Sequence, residues 1–168
     1  MYINHDITID LVNPGTPGRV HMKQGEVMSR NVRIFLQENG ENWMIPEEAQ
    51  AVIRYHAYDP DTQTRRTGAF DMLENGELSY VFSENCFELM PPAALLALPG
   101  LVTLDVVLLY DDRTLTTFDF EIYVNRAAAE GTEPEAGSYY RVSTLDAINA
   151  EFDTLRAAIA ALGGAEYL

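Results

Sequence analysis

The chain has 168 residues, 47% of them hydrophobic, and its 26 acidic and 11 basic side chains leave a formal net charge of -15. The hydrophobic share suits one packed domain with an appendage. The charge repels phosphate backbones and offers no polybasic patch to an anionic bilayer, so it argues against nucleic acid and membrane as partners. No stretch approaches the roughly 20 apolar residues of a membrane span. Residues 1–6 show no basic region leading into an apolar run, so no signal peptide is expected. The single cysteine, Cys86, rules out an intrachain disulfide and fits a reducing compartment.

In chain order, the first 125 residues read as strands. Ile7, Ile9 and Leu11 alternate with Asp6, Thr8 and Asp10, and Val32, Ile34 and Leu36 repeat the pattern against Arg33 and Gln37. Two Glu-Asn-Gly-Glu segments, at 38–41 and 74–77, separate strand-like runs, and Asn-Gly accepts the positive φ of primed turns. A Val/Ile/Tyr-rich run from 50 to 58 ends at Asp59-Pro60-Asp61-Thr62, which has turn chemistry. Leu78, Tyr80 and Phe82 alternate with more polar neighbours. Pro91-Pro92, the apolar residues 93–98 and Pro99-Gly100 predict a short helical turn. Val102, Leu104, Val106 and Leu108 then face Phe118, Phe120, Ile122 and Val124 across the Asp111-Asp112 pair, which predicts a tightly turned antiparallel hairpin. About seven short strands with no crossover helix between them favour an antiparallel β-sandwich over a parallel sheet.

Residues 126–137 hold no large apolar side chain, and Gly131, Pro134 and Gly137 oppose regular structure, so they read as a linker. The hydrophobic period changes in the C-terminal segment, 138–168. Leu145, Ile148, Phe152, Leu155, Ile159 and Leu162 are spaced 3, 4, 3, 4 and 3, an a/d seam on an amphipathic, coiled-coil-like helix. Ser143 or Thr144 can cap its start, and Gly163-Gly164 ends it. With Leu145 at a, Glu151 falls at g and Arg156 at e, so the two attract between neighbouring chains of a parallel coil. A helix packed on its own sandwich would show a similar stripe. The preceding linker, the narrow seam and the g/e charges favour self-association. A helix this short is marginal alone, so association needs help from contacts between β domains. The mixed seam leaves dimer and trimer both open.

No residue pattern points to catalysis. His5, His21 and His56 are scattered without ligand spacing, and Cys86 beside Phe87 reads as an inert thiol. Asp59 and Asp61 could approach calcium, but they lack the loop pattern of a calcium site. Trp43 and the nine tyrosines could stack on sugars, yet Tyr55, Tyr80 and Tyr110 hold strand positions where aromatics fill a core. The expectation is therefore a protein that is no enzyme and holds no metal or cofactor.

The first three quarters of the chain resemble the N-terminal domain of phage baseplate upper proteins, found in tailed phages and prophages of Gram-positive bacteria. The resemblance is carried, in order, by four stretches. These are Asp6-Ile7-Thr8-Ile9-Asp10-Leu11; Lys23-Gln24-Gly25-Glu26 leading into the strand at 31–37 and Asn39-Gly40; the run 51–58 before Asp59-Pro60-Asp61; and the closing strand from Leu115 to Val124. It implies an immunoglobulin-like sandwich anchored in a virion baseplate or tail, with a helical segment gathering copies into a trimer. The partners would then be further copies of the chain and other phage structural proteins, and the place the virion, after synthesis in the bacterial cytoplasm. The family's members continue beyond the helix into a domain that holds the receptor-binding protein, whereas here only residues 163–168 follow. The expectation is a short form with its tip supplied by another chain, or a piece of a longer protein. The alternatives are a carbohydrate-binding or adhesin-like module, which predicts an exposed aromatic cluster or a calcium site, and a capsid fibre base.

Overall fold

A computed structural model of the chain describes residues 2–59 and 61–128. The first compact unit, Met1–Ala127, is mainly β, and its strands form two sheets consistent with a β-sandwich. The strands in chain order are β1 (Ile3–Asp10), β2 (Arg19–Lys23), β3 (Arg30–Glu38), β4 (Glu41–Asn42), β5 (Gln50–Asp59), β6 (Thr64–Phe70), β7 (Tyr80–Ser83), β8 (Cys86–Leu89), β9 (Gly100–Tyr110), β10 (Arg113–Thr116) and β11 (Phe120–Asn125). The first sheet has the order β1-β3-β8-β7, with β4 added to β3. The second has the order β2-β11-β9-β5-β6, with β10 continuing along β9. No helix among the described residues is long and apolar enough to cross a membrane.

Alternation decides which side of each strand is buried. Val32, Ile34, Leu36, Phe87 and Leu89 of the first sheet are almost fully buried, as are Ile53, Leu104, Leu108, Phe120, Ile122 and Val124 of the second. All belong to one hydrophobic cluster, so the two inner faces share a core. Tyr80 ties the sheets together: its hydroxyl accepts a buried hydrogen bond from the Ala51 N–H at 3.0 Å. Leu95 and Leu96 of the 3-10 turn Ala93–Leu96 also enter the core, at the place where the Pro-flanked apolar run predicts a helical turn.

The sheets are antiparallel, as expected, except at two edges. β1 runs parallel to β3, with Ile7 beside Ile34, and β2 runs parallel to β11, with His21 beside Tyr123. The reason is a change of sheet between the first two strands. Residues 11–18 include Pro14, Gly15, Pro17 and Gly18, and they carry the chain from the edge of one sheet to the edge of the other. A strand reached through such a crossing is free to pair in parallel, which a tight hairpin forbids.

The hairpin around Asp111-Asp112 forms with both residues at positive φ, 47° and 54°, as a primed turn requires. Its return arm is interrupted. Leu115 lies opposite Leu108, but Phe120 lies opposite Leu104, so the register gains one residue between them. This is a bulge. Thr117 is buried there and repairs the ladder twice: its N–H donates to the Val106 carbonyl, and its Oγ1 accepts the Val106 N–H, each at 3.0 Å. The extra residue also turns Phe118 outward to 40% exposure, which corrects its assignment to the face of Phe120, Ile122 and Val124. Leu78 is a second correction. It stands 53% exposed before β7 in an isolated bridge to Met72, while Tyr80 and Phe82 turn inward.

The two Glu-Asn-Gly-Glu segments fold differently. Asn39 and Gly40 both take positive φ and close the β3–β4 hairpin, whereas in the second copy only Gly76 does. The first turn is held from outside. Asp10 accepts N–H bonds from Val12 and Asn13, which close the end of β1, and from Asn39 and Gly40, which fix the turn beside it. These four donors favour the ionised carboxyl and hold its pKa down to about 2, below the usual 3.8.

The predicted helix and its seam residues, Leu145, Ile148, Glu151, Phe152, Leu155, Arg156, Ile159 and Leu162, lie outside the described residues, as does most of the linker.

Candidate binding surface

With the core closed, chemistry is left to the two outward faces. On the first sheet, Asp6 of β1, Arg33 of β3 and Glu88 of β8 share one cross-strand row. Arg33 holds Asp6 through two hydrogen bonds of 2.7 and 2.8 Å, and that pairing keeps the Asp6 carboxyl below its usual pKa. Cys86 lies on this face beside Phe35, half-buried. Burial first, then the Glu88 carboxylate, pushes its thiol pKa up, away from the thiolate. At one end of the face a groove of about 240 Å³ is lined by Tyr2, Met28, Leu78, Val81, Asn31 and Ser79. Asn31 Oδ1 and Ser79 Oγ are buried with no hydrogen-bond partner.

The second sheet presents a different outward face. The pairings Tyr58↔Arg65, Leu101↔Tyr123 and Tyr123↔His21 are direct, and one further step beyond Ala57↔Val102 sets Tyr58 beside Leu101. A row therefore crosses five strands as Arg65, Tyr58, Leu101, Tyr123 and His21. Tyr58 is 48% exposed and Tyr123 37%, and the His21 ring tilts against Tyr123 at 5.5 Å. Next to this row, an open depression of about 460 Å³ is lined by Arg54, His56, Thr67, Thr103, Asp105 and Asp119. Arg54 is bound by Asp105 through two hydrogen bonds of 2.8 and 2.7 Å, and Arg19 is paired with Glu121 at 3.2 Å.

The three histidines lie apart. His5 contacts Arg30 at 3.1 Å, His21 contacts Asn125 at 3.2 Å, and His56 lines the depression. Burial and the Arg30 charge lower the His5 pKa. Asp59 and Asp61 do not converge. Asp59 accepts the Asp61 N–H at 3.0 Å within its own turn, and Asp61 pairs with Arg126 at 3.0 Å. Among the described residues, no group of three or more His, Cys, Asp or Glu side chains is placed to hold a metal ion. Trp43 packs beside Tyr110, and Tyr55, Tyr80 and Tyr110 join the core or lean on it. The tyrosines exposed on the strands of the second sheet, Tyr58 and Tyr123, are not among those the sequence pattern points to. The usable signal was parity: Tyr123 sits between the inward Ile122 and Val124, and Tyr58 follows the inward Ala57.

The Lys23-Gln24-Gly25-Glu26 stretch has a local structural role. Gln24 donates its N–H to the Asn125 carbonyl and its side-chain amide to the Ala97 carbonyl, and its Oε1 accepts the Ala127 N–H. Gly25, at φ 85°, donates to Leu96, while Glu26 holds Arg30 at 2.7 Å and accepts the Lys23 N–H. Four residues thus join the ends of β2 and β11, the 3-10 turn and the start of β3.

Compared with protein-family models and with curated proteins, the sequence matches none.

Proposed function

We propose that the chain is a non-catalytic structural protein of a phage or prophage virion. In this reading an immunoglobulin-like sandwich docks on a baseplate or similar tail assembly, and the C-terminal seam gathers copies into a trimer. The observation that carries it is the strand order. Take β1 and β2 as a split first strand A and A′, β3 as B, β5 and β6 as C and C′, β7 as D, β8 as E, β9 as F, and β10 with β11 as G. The sheets then run A-B-E-D and A′-G-F-C-C′, the order of immunoglobulin-type sandwiches. The parallel pairing of β1 with β3 is a departure local to the first strand. The resemblance to baseplate upper proteins supports the virion role. Its Lys23-Gln24-Gly25-Glu26 stretch lies where the first and last strands of the second sheet meet.

Tail structures are symmetric, and a protein with one rigid domain and one self-associating segment suits them: the segment sets the copy number and the domain supplies the docking surface. The test is a full-chain variant carrying Ile148→Asp and Leu155→Asp. Its mass by light scattering should fall from trimer to monomer, with the thermal melt of the β domain unchanged. A double variant that stays associated would remove the seam as the interface.

A further inference from the structure

The two outward tyrosines of the second sheet take no part in the core, and Tyr123 meets only the ring of its cross-strand neighbour His21 among the ring contacts of the described residues. Tyr58 and Tyr123 lie on the outward face of the six-stranded second sheet, at positions where folding asks only for a polar residue. Two strand spacings separate them, roughly 10 Å, a span that two linked pyranose rings cover. An aromatic face carries negative π density and attracts the polarised C–H bonds on the flat side of a sugar ring.

Charge narrows the class further. Residues 1–125 contain 19 acidic and 8 basic side chains, and four of the eight, Arg19, Arg30, Arg33 and Arg54, are already held in ion pairs. Nevertheless Arg65, beside Tyr58, and Lys23, two residues along β2 from His21, have no ion-pair partner among the described residues. The neighbouring Arg19 and Arg54 are neutralised by Glu121 and Asp105, and Asp61 is already bound by Arg126. The aromatic row therefore ends in uncompensated positive charge. Beside it, His56, Thr67 and Thr103 line the depression with hydrogen-bonding groups suited to hydroxyls, and Asp119, which also lines it, disfavours acidic groups there and leaves them to the Arg65 and Lys23 ends.

We infer that the outer face of the second sheet binds an anionic oligosaccharide, a sugar chain bearing carboxylate or phosphate groups. Two of its rings stack on Tyr58 and Tyr123, and its acidic groups meet Arg65 and Lys23. The inference goes beyond the virion role and needs neither that role nor oligomerisation.

The full-length protein is screened on an array of uronic-acid, glycerol-phosphate-bearing and neutral oligosaccharides, and the best binder is measured by calorimetry beside inorganic polyphosphate. Acidic sugars should bind, and binding should weaken with added salt. Tyr58→Ala and Tyr123→Ala should each weaken it at least about tenfold, and Arg65→Gln a few fold. Polyphosphate should bind far more weakly than the sugar. Whether uronic or phosphate sugars win names the acidic group. Amide shifts at residues 21, 58 and 123 on titration locate the site without any variant. Failure of every acidic sugar to bind at millimolar concentration, shifts that miss this row, or polyphosphate binding as tightly as the sugar would overturn the inference.

Discussion

On the first sheet, the outward row of Asp6, Arg33 and Glu88 satisfies itself, with the guanidinium clamped on a carboxylate. On the second, the corresponding outward row holds two exposed tyrosines and ends in an arginine with no ion-pair partner among the described residues. Inward, the two sheets are alike: each presents Val, Ile, Leu and Phe to the shared core. Burial constrains inner faces and leaves outer faces free, so a difference between outer faces reports on partners and not on folding.

The largest effects should confirm that the inner faces are equivalent. Phe87→Ala in the first sheet and Phe120→Ala in the second, each 1% exposed or less, should each cost about 3–5 kcal/mol in denaturant unfolding. A much smaller loss from one of them would mean that its sheet is not anchored in the common core.

Buried hydrogen bonds come next and should separate partnered from unpartnered groups. Tyr80→Phe strips the Ala51 N–H of its acceptor, and Thr117→Val strips that of Val106, so each should cost roughly 1–3 kcal/mol. Ser79→Ala removes an equally buried hydroxyl that has no partner, and it should cost nothing measurable. Chemical unfolding of the three variants side by side checks the contrast.

Acid should act through Asp10. Its folded pKa of about 2 lies below the usual 3.8, so its contribution is complete above about pH 4 and disappears as pH falls through about 2. Asp10→Asn should flatten that part of the stability profile, measured by thermal melts across pH 2 to 5, and leave the rest unchanged. The smallest effects belong to the outward ion pairs. Arg33→Gln and Arg54→Gln should each leave the unfolding midpoint almost unchanged, because both pairs are partly open to solvent. A larger loss from either would make its outer face part of the fold's support.

The sequence displayed the inner faces better than the connections. Val32, Ile34 and Leu36 alternate cleanly and are all buried, because a half-buried strand repeats every two residues. β6, Thr-Arg-Arg-Thr-Gly-Ala-Phe, shows no such alternation: it is an edge strand and mostly exposed. β2 is five residues long and follows a Gly- and Pro-rich stretch, which hides it. The parallel partners of β1 and β2 are set by a change of sheet, which no local period encodes. Phe118 shares the sequence parity of Phe120 yet faces outward, because one bulged residue between them inverts every later position, and Thr117 does not announce a bulge. The candidate surface was half legible. Alternation gives Tyr123 its outward parity, but only the register across β5, β9 and β11 brings it into line with Tyr58.

The central claim is that the C-terminal seam gathers folded β domains. Light scattering after size exclusion, on the full chain beside residues 1–127, tests it most directly. The account predicts a trimeric full chain and a monomeric, folded fragment, since Met1–Ala127 is a compact unit with its own core. A monomeric full chain would contradict it.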